Sequence, residues 1–132
     1  MNRESVQAWL DNYVEAWRTY DVAKIGNLFS EDALYCYSPF DEDNPVRGRA
    51  AIVASWLEAP NAPDTWEAHY APVAIEGTVG VAQGRTRYLR PDSTVEREFD
   101  NIFVLHFDDV GRCTRFTEWY MQRPGVKRLA VP

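Results

Sequence analysis

The residues best suited to chemistry in this chain are a carboxyl and an amide set among aromatic rings. In the run Phe116-Thr117-Glu118-Trp119-Tyr120, the alternation of an extended chain puts Phe116, Glu118 and Tyr120 on one face. The same rule groups Phe99, Asn101, Phe103 and Leu105. A carboxyl turned toward a core is costly when ionised, so its pKa rises toward neutrality. Such a group can give or take a proton as a general acid or base. The plainer alternative is a Glu118 that pairs with an Arg or Tyr at a cavity mouth and moves no proton. Asn101, Tyr13 and Tyr120 are the polar groups able to orient a substrate or a water beside it.

Other side chains offer less. His69 and His106 are isolated, which argues against a metal site. By alternation His106 lies on the face opposite Asn101, whereas His69 can face either way. Asp41-Glu42-Asp43, between prolines, reads as a solvated loop that can border a cavity mouth. The glycines from Gly77 to Gly84 lie in strands and turns, not at a strand-to-helix junction, so no phosphate cradle or nucleotide cofactor is expected. The expectation is a protein with neither metal nor cofactor.

These groups need elements to hold them. Val6, Trp9, Leu10, Tyr13, Val14 and Trp17 recur at helical spacing, and Ser5 is the expected N-cap. A short second helix starts at Asp21, with Val22, Ile25, Leu28 and Phe29 as its inner face. Residues 33–38 read as a strand stopped by Pro39, and 39–45 as a loop. A third helix follows Gly48 over 49–57 and is ended by Pro60 and Pro63. The second half is four strands, 66–75, 79–90, 95–107 and 112–122, with short turns between them, hence an antiparallel meander. The face bearing Phe99 and Phe116 is assigned to the helices. The other face carries Arg85, Arg87, Glu96, Glu98, Asp100, His106 and Arg115 with Ile102, Val104, Trp119 and Met121, a mixture suited to cross-strand ion pairs and to a homodimer interface.

Bulk properties agree with this reading. The chain has 132 residues, 45% hydrophobic, enough for one domain with its own core. A net charge of −6 without any basic run argues against nucleic acid as a partner. The polar N-terminus and the lack of a long apolar run point away from a leader or a membrane span. Cys36 and Cys113 both fall in strand-like segments, where a buried thiol is the default, so a reduced, cytoplasmic compartment is expected.

Four segments carry a family resemblance that covers nearly the whole chain. They are Tyr13-Val14-Glu15-Ala16-Trp17, Phe29-Ser30-Glu31-Asp32-Ala33, Val46-Arg47-Gly48-Arg49-Ala50-Ala51-Ile52 and Phe107-Asp108-Asp109-Val110-Gly111-Arg112. In this order the chain resembles the nuclear-transport-factor-2-like superfamily, in particular its SnoaL-like and ketosteroid-isomerase-like branch. The resemblance implies an α+β cone with three N-terminal helices on a curved, mainly antiparallel sheet. It says little about reaction, because one fold hosts many chemistries. Of the isomerase pattern, the oxyanion tyrosine falls on Tyr13. The aspartate base falls near Tyr37 or Ser38, and the second acid falls on Phe103, so that mechanism lacks both of its carboxyls. SnoaL-like cyclases and limonene-epoxide-hydrolase relatives place an acid on a late strand facing the pocket, which Glu118 resembles.

The combined expectation is a binder of a small apolar molecule, with isomerase, cyclase or hydrolase activity if it is an enzyme. Glu118, Tyr13 and Asn101 are the expected catalytic set. Trp17, Trp56, Tyr88, Phe99, Phe103, Phe116 and Tyr120 are the expected ligand contacts. A non-catalytic ligand or protein-interaction module, or a dimer whose own rings fill the hollow, remain the alternatives.

Overall fold

The structure is a computed structural model and describes residues 1–125. Helix α1 spans Arg3–Thr19 and buries Val6, Trp9, Leu10, Tyr13 and Ala16, the stripe its spacing predicts. Its N-cap is Asn2, not Ser5. Ser5 instead completes a reciprocal capping box, with Ser5 N–H donating to Asn2 Oδ1 at 2.8 Å and Asn2 N–H donating to Ser5 Oγ at 3.0 Å. The cap falls three residues earlier because Asn2 can adopt the extended cap conformation and satisfy the orphan amide of Ser5.

Helix α2 is Val22–Asn27, capped as expected by Asp21, whose side chain accepts from Lys24 N–H at 3.0 Å. Phe29, expected on that helix, instead opens strand β1, Phe29–Cys36. That strand starts and ends earlier than its sequence pattern predicts. It does so because Leu28 C=O accepts from Cys113 N–H, which fixes the chain beside the last strand. Strand β2, Val46–Arg47, lies just beyond the expected loop and pairs antiparallel with β1. It is too short for a periodic signal. Helix α3 covers Arg49–Glu58 and buries Ile52 and Trp56.

Strands β3 (Trp66–Glu76), β4 (Val79–Leu89), β5 (Val95–Phe107) and β6 (Cys113–Gln122) form the expected meander. The sheet has six strands in the order β2-β1-β6-β5-β4-β3, and all neighbours are antiparallel except β1 and β6. Pro72 is tolerated because β3 is an edge, and the register shifts beside it between Pro72 and Ala74. Helix α1 covers this edge region, with Arg3 Nη1 donating to Pro72 C=O at 2.6 Å and Gln7 Nε2 to Tyr70 C=O at 2.9 Å.

Three helices therefore pack on one face of a curved sheet and leave a cone. Rings fill its closed end. Phe116 stacks on Tyr35 with centroids 4.3 Å apart and on Tyr13 at 5.5 Å, and Trp9 continues the stack to Tyr13 at 5.6 Å. Gly84 is required where it stands. A Cβ there would lie 2.0 Å from His69 O and 2.5 Å from the Tyr70 ring, so only glycine lets Tyr70 lie across β4.

Candidate functional site

A cavity of about 500 Å³ opens between α1, α3 and the inner face of the sheet. Each element contributes through its own periodicity. Helix α1 supplies Tyr13 and Trp17, one helical turn apart. Strand β1 supplies Tyr35, and α3 supplies Trp56. The meander supplies Tyr70, Thr86, Asn101 and Glu118 from four adjacent strands. Cross-strand register pairs Asn101 with Tyr120 and Phe103 with Glu118, so all four side chains point inward as alternation requires.

These polar groups form one chain of hydrogen bonds. Asn101 Nδ2 donates to Glu118 Oε2 at 2.7 Å, and Thr86 Oγ1 donates to Asn101 Oδ1 at 2.9 Å. Thr86 has a single hydroxyl proton, so the 2.5 Å contact between the Tyr70 and Thr86 hydroxyls is donated by Tyr70. The relay thus runs in one direction, from Tyr70 through Thr86 and Asn101 to the carboxyl. Asn101 and Thr86 are buried, so leaving either amide or hydroxyl unpaired would be costly, and the network holds the carboxyl in one orientation. Glu118 Oε1 has no hydrogen-bond partner among the described residues.

Burial is the larger influence on Glu118 and pushes its pKa up to about 7, while the Asn101 hydrogen bond pulls it down. Burial, with the Glu118 charge as a further contributor, also raises the Tyr13, Tyr35 and Tyr70 hydroxyls, which stay protonated donors. Tyr13 and Tyr35 hydroxyls lie 3.4 Å apart. Trp56 Nε1 is buried and has no hydrogen-bond partner among the described residues, although it lies near enough to the Tyr35 hydroxyl to favour that group's ionised form. A buried indole N–H without an acceptor is a donor in want of one.

The Glu118 shift has a consequence for stability. The unfolded carboxyl titrates near 4.3, so the folded chain retains a proton over a window in which the unfolded chain has lost it. The stabilisation is complete below about pH 4.3 and is lost as pH rises through about 7. Its size is on the order of 3 kcal/mol. Glu118→Gln cannot ionise, so urea midpoints taken between these pH values are expected to fall for the wild type and to lose this component in the variant. Parallel pH profiles for the two proteins would contradict the shift.

Of the residues singled out from sequence, the cavity brings together Glu118, Tyr13, Asn101, Trp17, Trp56, Tyr88, Phe99 and Tyr120. Tyr120 is exposed and stands at the rim, edge-on to Phe99 at 5.9 Å. Phe103 and Phe116, expected as walls, do not line the cavity. They lie behind it, almost wholly buried in the core, where Tyr13 and Tyr35 cover them. Tyr35, Tyr70, Thr86 and Arg97 were missed. Alternation groups Thr86 with Gly84 and Tyr88, opposite Arg85 and Arg87, and carried on from Phe99 it also turns Arg97 inward. Tyr70 has no such anchor on β3, and the short run 33–38 does not say which of its faces meets the helices. His69 and His106 are away from this cavity, and no cluster of three His, Cys, Asp or Glu side chains occurs among the described residues.

Comparison with known proteins supplies a family. A family model for the SnoaL-like domain matches residues 10–116. An NTF-2-like protein of unknown function from Burkholderia xenovorans LB400 is similar in structure, with a TM-score of 0.65, 17% identity, and 98% of this chain and 94% of that one covered. A provisionally assigned ketosteroid isomerase from Kribbella flavida DSM 17836 superposes with a TM-score of 0.64 at 17% identity, covering 98% of this chain and 90% of that one. At this identity both show a shared fold alone. No curated protein matches the sequence. The family match over residues 10–116, on a cone of three helices and a curved sheet, makes this chain a member of the SnoaL-like domain family.

Proposed function

We propose that this chain binds a small, largely apolar molecule in the cone and shifts a proton on it, in the manner of an isomerase, with Glu118 as the acid–base group. The observation that carries this reading is the asymmetric environment of one carboxyl. Oxygen Oε2 is fixed by Asn101 at 2.7 Å, while Oε1 has no partner among the described residues and the side chain lines the cavity. A proton carrier needs this combination of fixed orientation and a free lone pair. Donors on the neighbouring elements suit a ligand oxygen. The Tyr13 and Tyr35 hydroxyls and the orphan Trp56 N–H can polarise a carbonyl while Glu118 takes a proton from the adjacent carbon and returns it elsewhere. The proposed proton shift does not use the two-carboxyl isomerase mechanism, because the resemblance puts Phe103 at its second acid position and Tyr37 or Ser38 near its first.

Solvent deuterium tests this. Incubation in D₂O with a panel of cyclic and aryl ketones is expected to place deuterium beside the carbonyl of at least one, faster with protein than without, as read by NMR. Saturable binding of such ketones without any exchange would favour a ligand-binding module.

We also propose that the outer sheet face pairs with a second copy of the chain. Ile102, Trp119 and Met121 are exposed there, flanked by a ladder of ion pairs including Arg87–Glu98 at 2.6 Å and Arg123–Asp100 at 2.8 Å. Sedimentation of the wild type as a dimer and of Trp119→Glu as a monomer is the expected result. A monomeric wild type would refute the pairing.

A further inference from the structure

Among the described residues, the cationic lining of the cavity is one side chain, Arg97 on β5. Register sets it directly across from Tyr88, on the inner face. Its guanidinium carbon lies 4.6 Å from the centre of the Tyr88 ring and 5.9 Å from that of Phe99. Stacking occupies the flat face of the guanidinium and leaves its N–H edge available. The outer-face arginines differ. Arg85, Arg87 and Arg123 are each held by carboxylates on facing strands or on β5. Arg97 makes no side-chain hydrogen bond among the described residues. Its one ion contact among those residues is with Glu96, its neighbour in sequence, at 3.7 Å with both side chains about half exposed. A pair of that kind contributes little and is easily exchanged.

We propose that Arg97 receives a carboxylate on the ligand whose apolar body fills the cavity, so that the substrate class is a flat, apolar molecule with a single planar anionic group. This rests on reading the cavity as a ligand site. The planar fork of an arginine matches a carboxylate in two parallel hydrogen bonds, and the stacked position fixes the fork in advance. One positive charge suits one negative charge, the more so because the exposed Glu58 borders the same cavity and disfavours a multiply charged group. Arg97 lies four residues along β5 from Asn101, a separation of about 13 Å at 3.3 Å per residue. The anionic group is thus held at the rim, well away from the carboxyl that Asn101 orients. Phe99 lies between the two along β5, and Tyr88 sits level with Arg97.

A matched pair of probes tests the assignment: 4-biphenylacetate and its neutral amide, 4-biphenylacetamide. Binding is read by tryptophan fluorescence and calorimetry at fixed pH and low salt. The wild type is expected to prefer the anion by about five- to tenfold, a preference that shrinks with added salt. Arg97→Met keeps the contact with Tyr88 but is expected to abolish the preference while leaving amide affinity unchanged. Arg97→Lys should retain part of it, since a point charge remains without the fork. Equal affinities in the wild type, a preference that survives Arg97→Met, or no saturable binding of either probe would each overturn the proposal. The preference is a property of binding and is expected to persist in Glu118→Gln. Lost proton exchange with the anion preference intact would therefore sink the catalytic reading alone.

Discussion

Glu118→Gln is expected to slow protein-dependent proton exchange by about 10²–10⁴-fold, the range removed with a general acid or base, while leaving the fold and ligand affinity intact. The substitution is nearly isosteric. The Gln carbonyl still accepts from Asn101 Nδ2, so the chain from Tyr70 through Thr86 to Asn101 keeps its direction. Only the ability to take up a proton is lost. The raised carboxyl makes the effect specific to one pH region. In the wild type the base form of Glu118 grows as pH rises through about 7, so exchange initiated by proton removal should rise over the same range and then level off. A variant that binds the ketone normally and exchanges at the wild-type rate would show that another group carries the proton.

Phe116→Ala is expected to have the largest effect on stability, about 3–5 kcal/mol, which corresponds to a fall in Tm of roughly 10–20 °C. Phe116 is fully buried, and its ring supports both Tyr35 and Tyr13 by stacking, with Phe103 5.1 Å away. Removing it leaves a void under the donor side of the cavity, and the two hydroxyls lose the surface that sets their position. Phe99→Ala should behave differently. Phe99 is only partly buried and lines the opening, so the change should weaken ligand binding more than it lowers Tm. Calorimetry of the two variants separates these roles. A Phe116→Ala melting within a few degrees of the wild type would mean that the floor of the cone closes without that ring.

The contrast between Phe116 and Phe99 also shows what the sequence could and could not convey. Alternation puts both on the inner face, and both are there. It does not say how far down the cone each lies, because depth depends on sheet curvature and on which helix covers which strand. Phe103 and Phe116 therefore look like walls in the sequence and are core in the structure. The meander was legible from its turns and its period of two. The start of β1 was not, since a backbone bond from Cys113, far away in the chain, fixes it. Glu118 and Asn101 stood out as polar residues on an apolar face, and their 2.7 Å bond follows from register. Alternation puts Thr86 on the face of Tyr88, but the hydrogen bonds that join it to Tyr70 and Asn101 cross β3, β4 and β5 and leave no local pattern. Trp56 was legible as a ring on α3, but its unpartnered N–H is a property of the packed structure.

The most direct test is the ionisation of Glu118 itself, followed through the side-chain carboxyl carbon by NMR in protein labelled at glutamate, with Glu118→Gln used to assign the resonance. A midpoint near 7 is the predicted result. A midpoint near the ordinary glutamate value of about 4.3 would mean that water reaches the carboxyl freely, and that it is not an acid–base group poised for neutral pH.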